Sequence, residues 1–362
     1  MLKKAAALLL VGAGLGAWVG CGKTSNRFLY AAIPGSSEIV AFREDPNGGV
    51  LNQLVGSPIT AGPAVETLLI HPSRKFLVAA NSGSVPIGTV SVFTINSSGS
   101  LTEKTPRASA GTAPTVMVMD SAGKYLYVGN SGSFDISVFS IDATQETLTP
   151  VPQAGGGATA PVGLSPLNMQ LSPSGGTLYV SGQVGTLGYV EAFPVANGVL
   201  GPPITGSPYL TGNVPVGMVI DSKGSHLYTA NKVDNSISEF SIASNGSLTL
   251  LSTTGEVYTS PVALLIDISG KYLYVANSQT AGNVAAYSIG SDGGLALLSN
   301  SPFGTAAQPN FIATDPNGAH LFVGNQTNPV IQSFTLDPGS GTLTSIASYS
   351  VPGTPTSMVI TK

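Results

Sequence analysis

Side chains that could do chemistry are scarce in this chain. Of 362 residues only 9% are charged, with three histidines and one cysteine. No serine has the Gly-x-Ser-x-Gly spacing of a nucleophile elbow. Zinc needs clustered His, Cys, Asp or Glu, and a single cysteine with scattered histidines does not supply them. What remains is carboxylate chemistry. Glu66 is charged at a position where six equivalent stretches carry apolar, small or amide residues; Asn310 and Leu167 fall beside it and Asn168 one step deeper, which makes Asn168 and Asn310 candidate ligand contacts. A carboxylate on a partly buried rim can act as a general base towards water; the alternative is a solvated loop glutamate. Arg107, expected in a loop on the same side, could bind a substrate carboxylate or phosphate, or be a surface arginine. Lys232, Asp234, Asp135 and Glu256, with Tyr209 and Tyr258, complete a polar rim with aromatic contacts, each equally readable as a loop residue.

That rim exists only because the chain repeats. Gly270-Lys271-Tyr272-Leu273-Tyr274-Val275-Ala276-Asn277 recurs as Gly123–Asn130, Ser225–Asn231 and Ala319–Asn325, and more loosely at Arg74–Asn81, Gly176–Gly182 and Arg27–Ala32. The seven copies lie about 46 to 52 residues apart, a period typical of repeat architectures. Each holds four strand-like runs. An unalternating apolar run such as Pro261–Ile266 suits a strand buried on both faces. Asp267-Ile268-Ser269-Gly270 is a tight turn, in which Asp bonds the backbone ahead and Gly accepts a positive φ. The second strand ends on Asn277, expected to cap the following loop, and the third ends on an aromatic (Phe42, Phe93, Phe139, Phe193, Phe240, Tyr287, Phe334) that should pack between neighbouring sheets. His71-Pro72-Ser73-Arg74 lacks the glycine, so Arg74 should carry the positive φ. Seven such units without a convincing helix predict an all-β, seven-bladed β-propeller. The repeat is out of phase at the ends, so one blade should combine a C-terminal strand, Thr356–Thr361, with strands near residues 27–32, 38–43 and 50–55. His71 replaces the turn aspartate and His226 and His320 the first tyrosine of the repeat, so all three read as structural; the turn aspartates read as caps rather than calcium ligands.

The formal charge of −4 leaves no basic stripe for nucleic acid. Lys3 and Lys4 precede an apolar run from Ala5 to Gly20, short for a membrane span and suited to a secretory leader. Trp18-Val19-Gly20-Cys21 resembles a bacterial lipobox, with Trp18 in place of the usual leucine. The organisation expected is therefore a signal peptide over 1–20, a linker over 21–26 lipidated at Cys21, and the propeller over 27–362, on an exported, monomeric protein anchored to the cell envelope. Gly22-Lys23-Thr24 is not a phosphate loop, because position 17 is alanine where that motif needs glycine and no strand-turn-helix surrounds it.

The motifs Asp120–Asn130, Ile136–Asp142, Gly246-Ser247-Leu248-Thr249 and Ser301-Pro302-Phe303-Gly304 resemble those of the lactonase-type seven-bladed propellers, which include 6-phosphogluconolactonase-like and carboxymuconate-cyclase-like proteins. The resemblance covers about residues 27–362. It implies a cofactor-free propeller whose function sits at the top mouth of the channel. The family's enzymes place histidine, arginine and acidic residues there, and this chain is poor in them. The first expectation is therefore a module binding a ligand or an envelope protein with its top face; the alternative is an exported lactonase that opens a sugar lactone with water activated by Glu66.

Overall fold

A computed structural model describes residues 27–83, 86–254 and 258–361. Its local geometry follows from the repeated turn. In the sixth copy, Asp267 Oδ1 accepts the amides of Lys271 (2.9 Å) and Tyr272 (2.8 Å), and Gly270 sits at φ 71°. Asp120, Asp221 and Asp315 repeat the arrangement. Where His71 replaces the aspartate, its Nδ1 lies 3.0 Å from the Ser73 amide and its ring stacks on Phe76, while Arg74 takes φ 61° as expected. The turn therefore survives the loss of both Asp and Gly, because the imidazole supplies an acceptor and arginine adopts the left-handed conformation.

These turns join antiparallel strands into seven sheets, each a blade of four main strands, and in six of them the strands follow sequence order from the channel outwards. Four blades add a strand of two or three residues beside the third strand. Blades are numbered here from the one that closes the ring. In blade 1 the inner strand is C-terminal: Ser357–Ile360 pairs antiparallel with Arg27–Ile33, followed outwards by Glu38–Glu44 and Leu51–Gln53. The expected composite blade is thus formed, and pairing the two chain ends covers an edge that would otherwise be open.

Hydrophobic burial is divided among seven clusters, each shared by two neighbouring blades. The third-strand aromatic reaches back into the cluster with the preceding blade: Phe139 packs with Phe76, Val78 and Val90 of blade 2, and Phe42 with Phe322 and Ile331 of blade 7. A tyrosine on the second strand adds a polar tie at the bottom. Tyr30, Tyr179, Tyr228 and Tyr274 are fully buried and donate to the carbonyls of Gly99, Gly246, Gly293 and Gly341 in the next blade. These glycines have φ of 71–87°, so they cap the outer hairpin and present a carbonyl to the neighbour.

The seam between blades 7 and 1 is held differently. Arg27, Glu44, Asp315 and His320 are all buried there. Arg27 Nη1 donates to Asp315 Oδ2 at 2.6 Å and lies 3.8 Å from Glu44 Oε1. His320 Nδ1 lies 3.4 Å from Glu44 Oε1 and 3.8 Å from Asp315 Oδ2. Two cations and two carboxylates balance only if His320 is protonated. Asp315 and then Glu44 outweigh the cost of burial and raise its pKa from 6.5 to about 9. A buried pair losing one charge is costly, on the order of 3–5 kcal/mol.

Two predictions concern this closure. Removing residues 355–362 deletes the inner strand of blade 1 and bares Leu29 and Ala31; the truncated chain should lose its single cooperative melting transition and aggregate, as read by calorimetry and light scattering. For the charged seam, a raised histidine pKa stabilises fully below about 6.5 and ceases to as pH rises through about 9. The melting temperature should therefore fall as pH rises from about 6.5 to about 9 and level off above that, and the fall should shrink in His320→Asn.

Candidate functional site

A central cavity of about 490 Å³ runs along the ring axis, lined by the inner strands. Its mouth is built by one local device repeated around the ring. In blades 2, 3, 5, 6 and 7 the residue before the inner strand has a positive φ without being glycine: Ala64 (48°), Ala113 (52°), Val214 (59°), Ser260 (60°) and Gln308 (57°). Its carbonyl accepts the amide of the residue just past the second strand: Ser82, Ser131, Lys232, Ser278 and Gln326, respectively, at 2.8–3.0 Å. Val214 is β-branched, so this conformation is strained there. Two residues later in each of these blades the inner strand has a β-bulge, at Glu66, Thr115, Val216, Val262 and Asn310, and blade 4 has one at Leu167. The alignment of Glu66 with Leu167 and Asn310, and Asn168 one step on, is therefore realised in the strand registers.

The two rings of positions differ in charge at one place each. Among the bulge residues only Glu66 is charged, and among those past the second strand only Lys232. They belong to blades 2 and 5, on opposite sides of the mouth. Glu66 is half-buried, and its Oε1 accepts a hydrogen bond from Ser82 Oγ at 2.8 Å; among the described residues no donor reaches Oε2. Lys232 is exposed and lines the cavity. The two mouth rings thus hold one carboxylate, with an acceptor oxygen unused among the described residues, and one ammonium across the ring from it.

The remaining candidates are dispersed. Arg107 is not in a loop: it lies on the outer strand Leu101–Ser109 of blade 2, at an irregularity between Lys104 and Ala108. Its guanidinium grips Glu103 at 2.6 and 3.0 Å. Burial would raise the Glu103 carboxyl, but Arg107 outweighs this and holds it below the usual carboxylate range. Arg107 and Glu66 are not brought together, since one is on the outermost and the other on the innermost strand of the blade. Asn168 and Asn310 line the cavity, but their amides donate to the next blade, to Val216 O (3.1 Å) and Pro355 O (2.6 Å). Asp135 opens the third strand of blade 3 and accepts from Asn130 and Ser133. Asp234 is exposed and holds the Asn213 amide and side chain. Tyr209, on the short strand Tyr209–Leu210, donates to Thr205 O, and Tyr258 packs partly buried against the core between blades 5 and 6. Glu256 and Cys21 lie outside the described residues.

The repeat asparagines also differ from expectation. Asn81, Asn130, Asn231 and Asn325 are fully buried and reach sideways to the third strand, to Ser91, Ser137, Ser238 and Gln332, rather than capping the loop ahead. Sequence reasoning missed the serine and threonine partners at the mouth. Ser82, Thr67 and Thr356 carry no signal of their own and become visible only once the bulge ring is assembled.

Comparison with known proteins matches this architecture. The family model described as lactonase, 7-bladed beta-propeller, matches residues 23–162, 201–306 and 252–360. The chain is 28% identical over 344 residues to a 6-phosphogluconolactonase of Sodalis glossinidius (strain morsitans), covering 90% of this chain and 96% of the relative. It is 25% identical, with the same coverage, to a 6-phosphogluconolactonase of Serratia proteamaculans (strain 568). Among solved structures, a periplasmic gluconolactonase of Pseudomonas aeruginosa superposes with a TM-score of 0.73 at 20% identity, covering 93% of this chain and 99% of that one. A Lactobacillus plantarum protein does so with 0.77, also at 20% identity and with the same coverage. The chain belongs to the lactonase family of seven-bladed β-propellers.

Proposed function

We propose that this protein hydrolyses a sugar lactone at the top mouth of its channel. The observation that carries the reading is the placing of Glu66 and Lys232, the single carboxylate and the single ammonium of the two mouth rings, in a chain of the lactonase family. In this reading Ser82 orients the Glu66 carboxylate and leaves Oε2 to take a proton from water. The water oxygen bonds to the lactone carbonyl carbon, and Lys232 balances the oxyanion that forms. The ring C–O bond then breaks, and its oxygen takes the proton from Glu66 to give the open hydroxy acid. The walls of inner-strand threonines and methionines would hold the ring of the sugar. One ammonium gives weak purchase on a phosphate dianion, so the substrate class is an unphosphorylated aldonolactone.

The test is hydrolysis of δ-gluconolactone and its 6-phosphate by residues 23–362. Turnover above background, without preference for the phosphate, is expected. Glu66→Gln should lower kcat/KM by about 10²- to 10⁴-fold, and Lys232→Met by about 10²-fold. If the folded protein binds gluconate at the mouth but turns over no lactone, the binding-module reading replaces this one. That second reading draws on the scarcity of free polar groups around the cavity, where Asn168 and Asn310 are already engaged.

The leader suggests where this happens. The protein is proposed to be exported and tethered to the envelope through a lipid on Cys21. Labelled palmitate should be incorporated into the wild-type chain in a bacterial host and not into Cys21→Ser; equal labelling of both would remove the tether.

A further inference from the structure

Blade 4 departs from its neighbours at one polar position. In blades 3, 5 and 7 a side chain in the middle of the third strand takes two hydrogen bonds: Ser137, Ser238 and Gln332 accept from the second-strand asparagine and from a loop amide, of Gly111, Gly212 and Ala306. In blade 4 that position is Glu191, and the asparagine is replaced by Gly182. The loop amide is kept, with Gly163 N donating to Glu191 Oε2 at 3.0 Å. The side-chain donor is gone. Among the described residues nothing donates to Oε1, although Glu191 is only 7% exposed.

The space beside that carboxylate is open because the blade lacks most of its outer strand. Val199–Leu200 is two residues long and is followed by Gly201-Pro202-Pro203. Proline has no N–H to continue the sheet, so the chain turns away. A cavity of about 350 Å³ results between blades 3 and 4, walled by Ala160, Pro161, Val162, Phe193, Leu200 and Pro202. Gln153 closes one side with its amide fully used, donating to Val151 O and Gly198 O and accepting from Leu200 N. Glu191 is the only titratable group in the lining. Space for it is reserved, since a Cβ on Gly163 would lie 2.5 Å from Oε1.

We infer that this cavity is a second ligand site, separate from the channel mouth, and that it takes a small organic ammonium. A buried carboxylate without a counter-charge is costly, and burial pushes the Glu191 pKa up. A cationic N–H donor placed on Oε1 removes that cost with a charge-assisted bond, while an apolar body covers Phe193 and the prolines. The volume lies at the lower end of the range for small-molecule sites.

The probe is phenethylammonium, titrated into the protein by calorimetry and by amide NMR, beside 2-phenylethanol and 3-phenylpropionate. Saturable 1:1 binding of the ammonium with a shift of the Gly163 amide is expected, the alcohol binding at least tenfold more weakly and the carboxylate not at all. Glu191→Gln keeps an acceptor for Gly163 and should weaken the ammonium at least tenfold. No saturable binding, equal affinity for ammonium and alcohol, or an unchanged affinity in Glu191→Gln would each overturn the site. Should that variant fail to fold, the amine–alcohol comparison on the wild type still decides.

Discussion

The ring depends on hydrogen bonds that no single blade can make for itself. A β-bulge on an inner strand leaves a backbone group unpaired within its sheet, and a buried unpaired carbonyl is costly. Here the preceding blade supplies the donor. Thr356 donates to Glu66 O, Thr67 to Thr115 O and Asn168 to Val216 O, from blades 1, 2 and 4 to blades 2, 3 and 5. The buried tyrosines do the same at the opposite face, from second strand to outer hairpin. Blade 1 is thus fixed to blade 2, and blade 4 to blade 5, at both ends, and hydrophobic clusters fill the gaps between them. The mouth is rigid because the bonds that form it also hold the ring together.

This explains which features were legible in the sequence. The fold was, because its determinants are local and repeated: the turn aspartate that binds two amides ahead, the glycine at positive φ, the aromatic closing the third strand. Even the exception at Arg74 was readable, since the turn imposes its φ on whatever residue occupies it. The composite blade followed from the phase of the repeat alone.

The site was legible only in part. The alignment of Glu66 with Leu167 and Asn310, and of Asn168 one step on, was legible, because alignment of repeats is also a local matter. Partners were not visible. Arg107 looked free until the irregular outer strand brought Glu103 under its guanidinium. Asn168 and Asn310 looked like ligand contacts, yet their acceptors come from the next blade, about 45 to 48 residues along the chain. Glu191 drew no notice, since its meaning lies in the absence of an asparagine side chain at Gly182 and of an outer strand beside it.

The composite blade has a consequence for the order of events during synthesis. Phe28 and Thr361 exchange hydrogen bonds across 333 residues, so the strand Arg27–Ile33 waits for one made more than 300 residues later. Blades 2 to 7 each have all four strands from contiguous sequence and can form as the chain emerges, whereas the strands Arg27–Ile33, Glu38–Glu44 and Leu51–Gln53 stay unclosed until Ser357–Ile360 has been made. Long-range closure of this kind is slow relative to local pairing. For the export proposed above, such a delay would be an advantage, because the ring stays unclosed, and so open to translocation, until the strand Ser357–Ile360 is available.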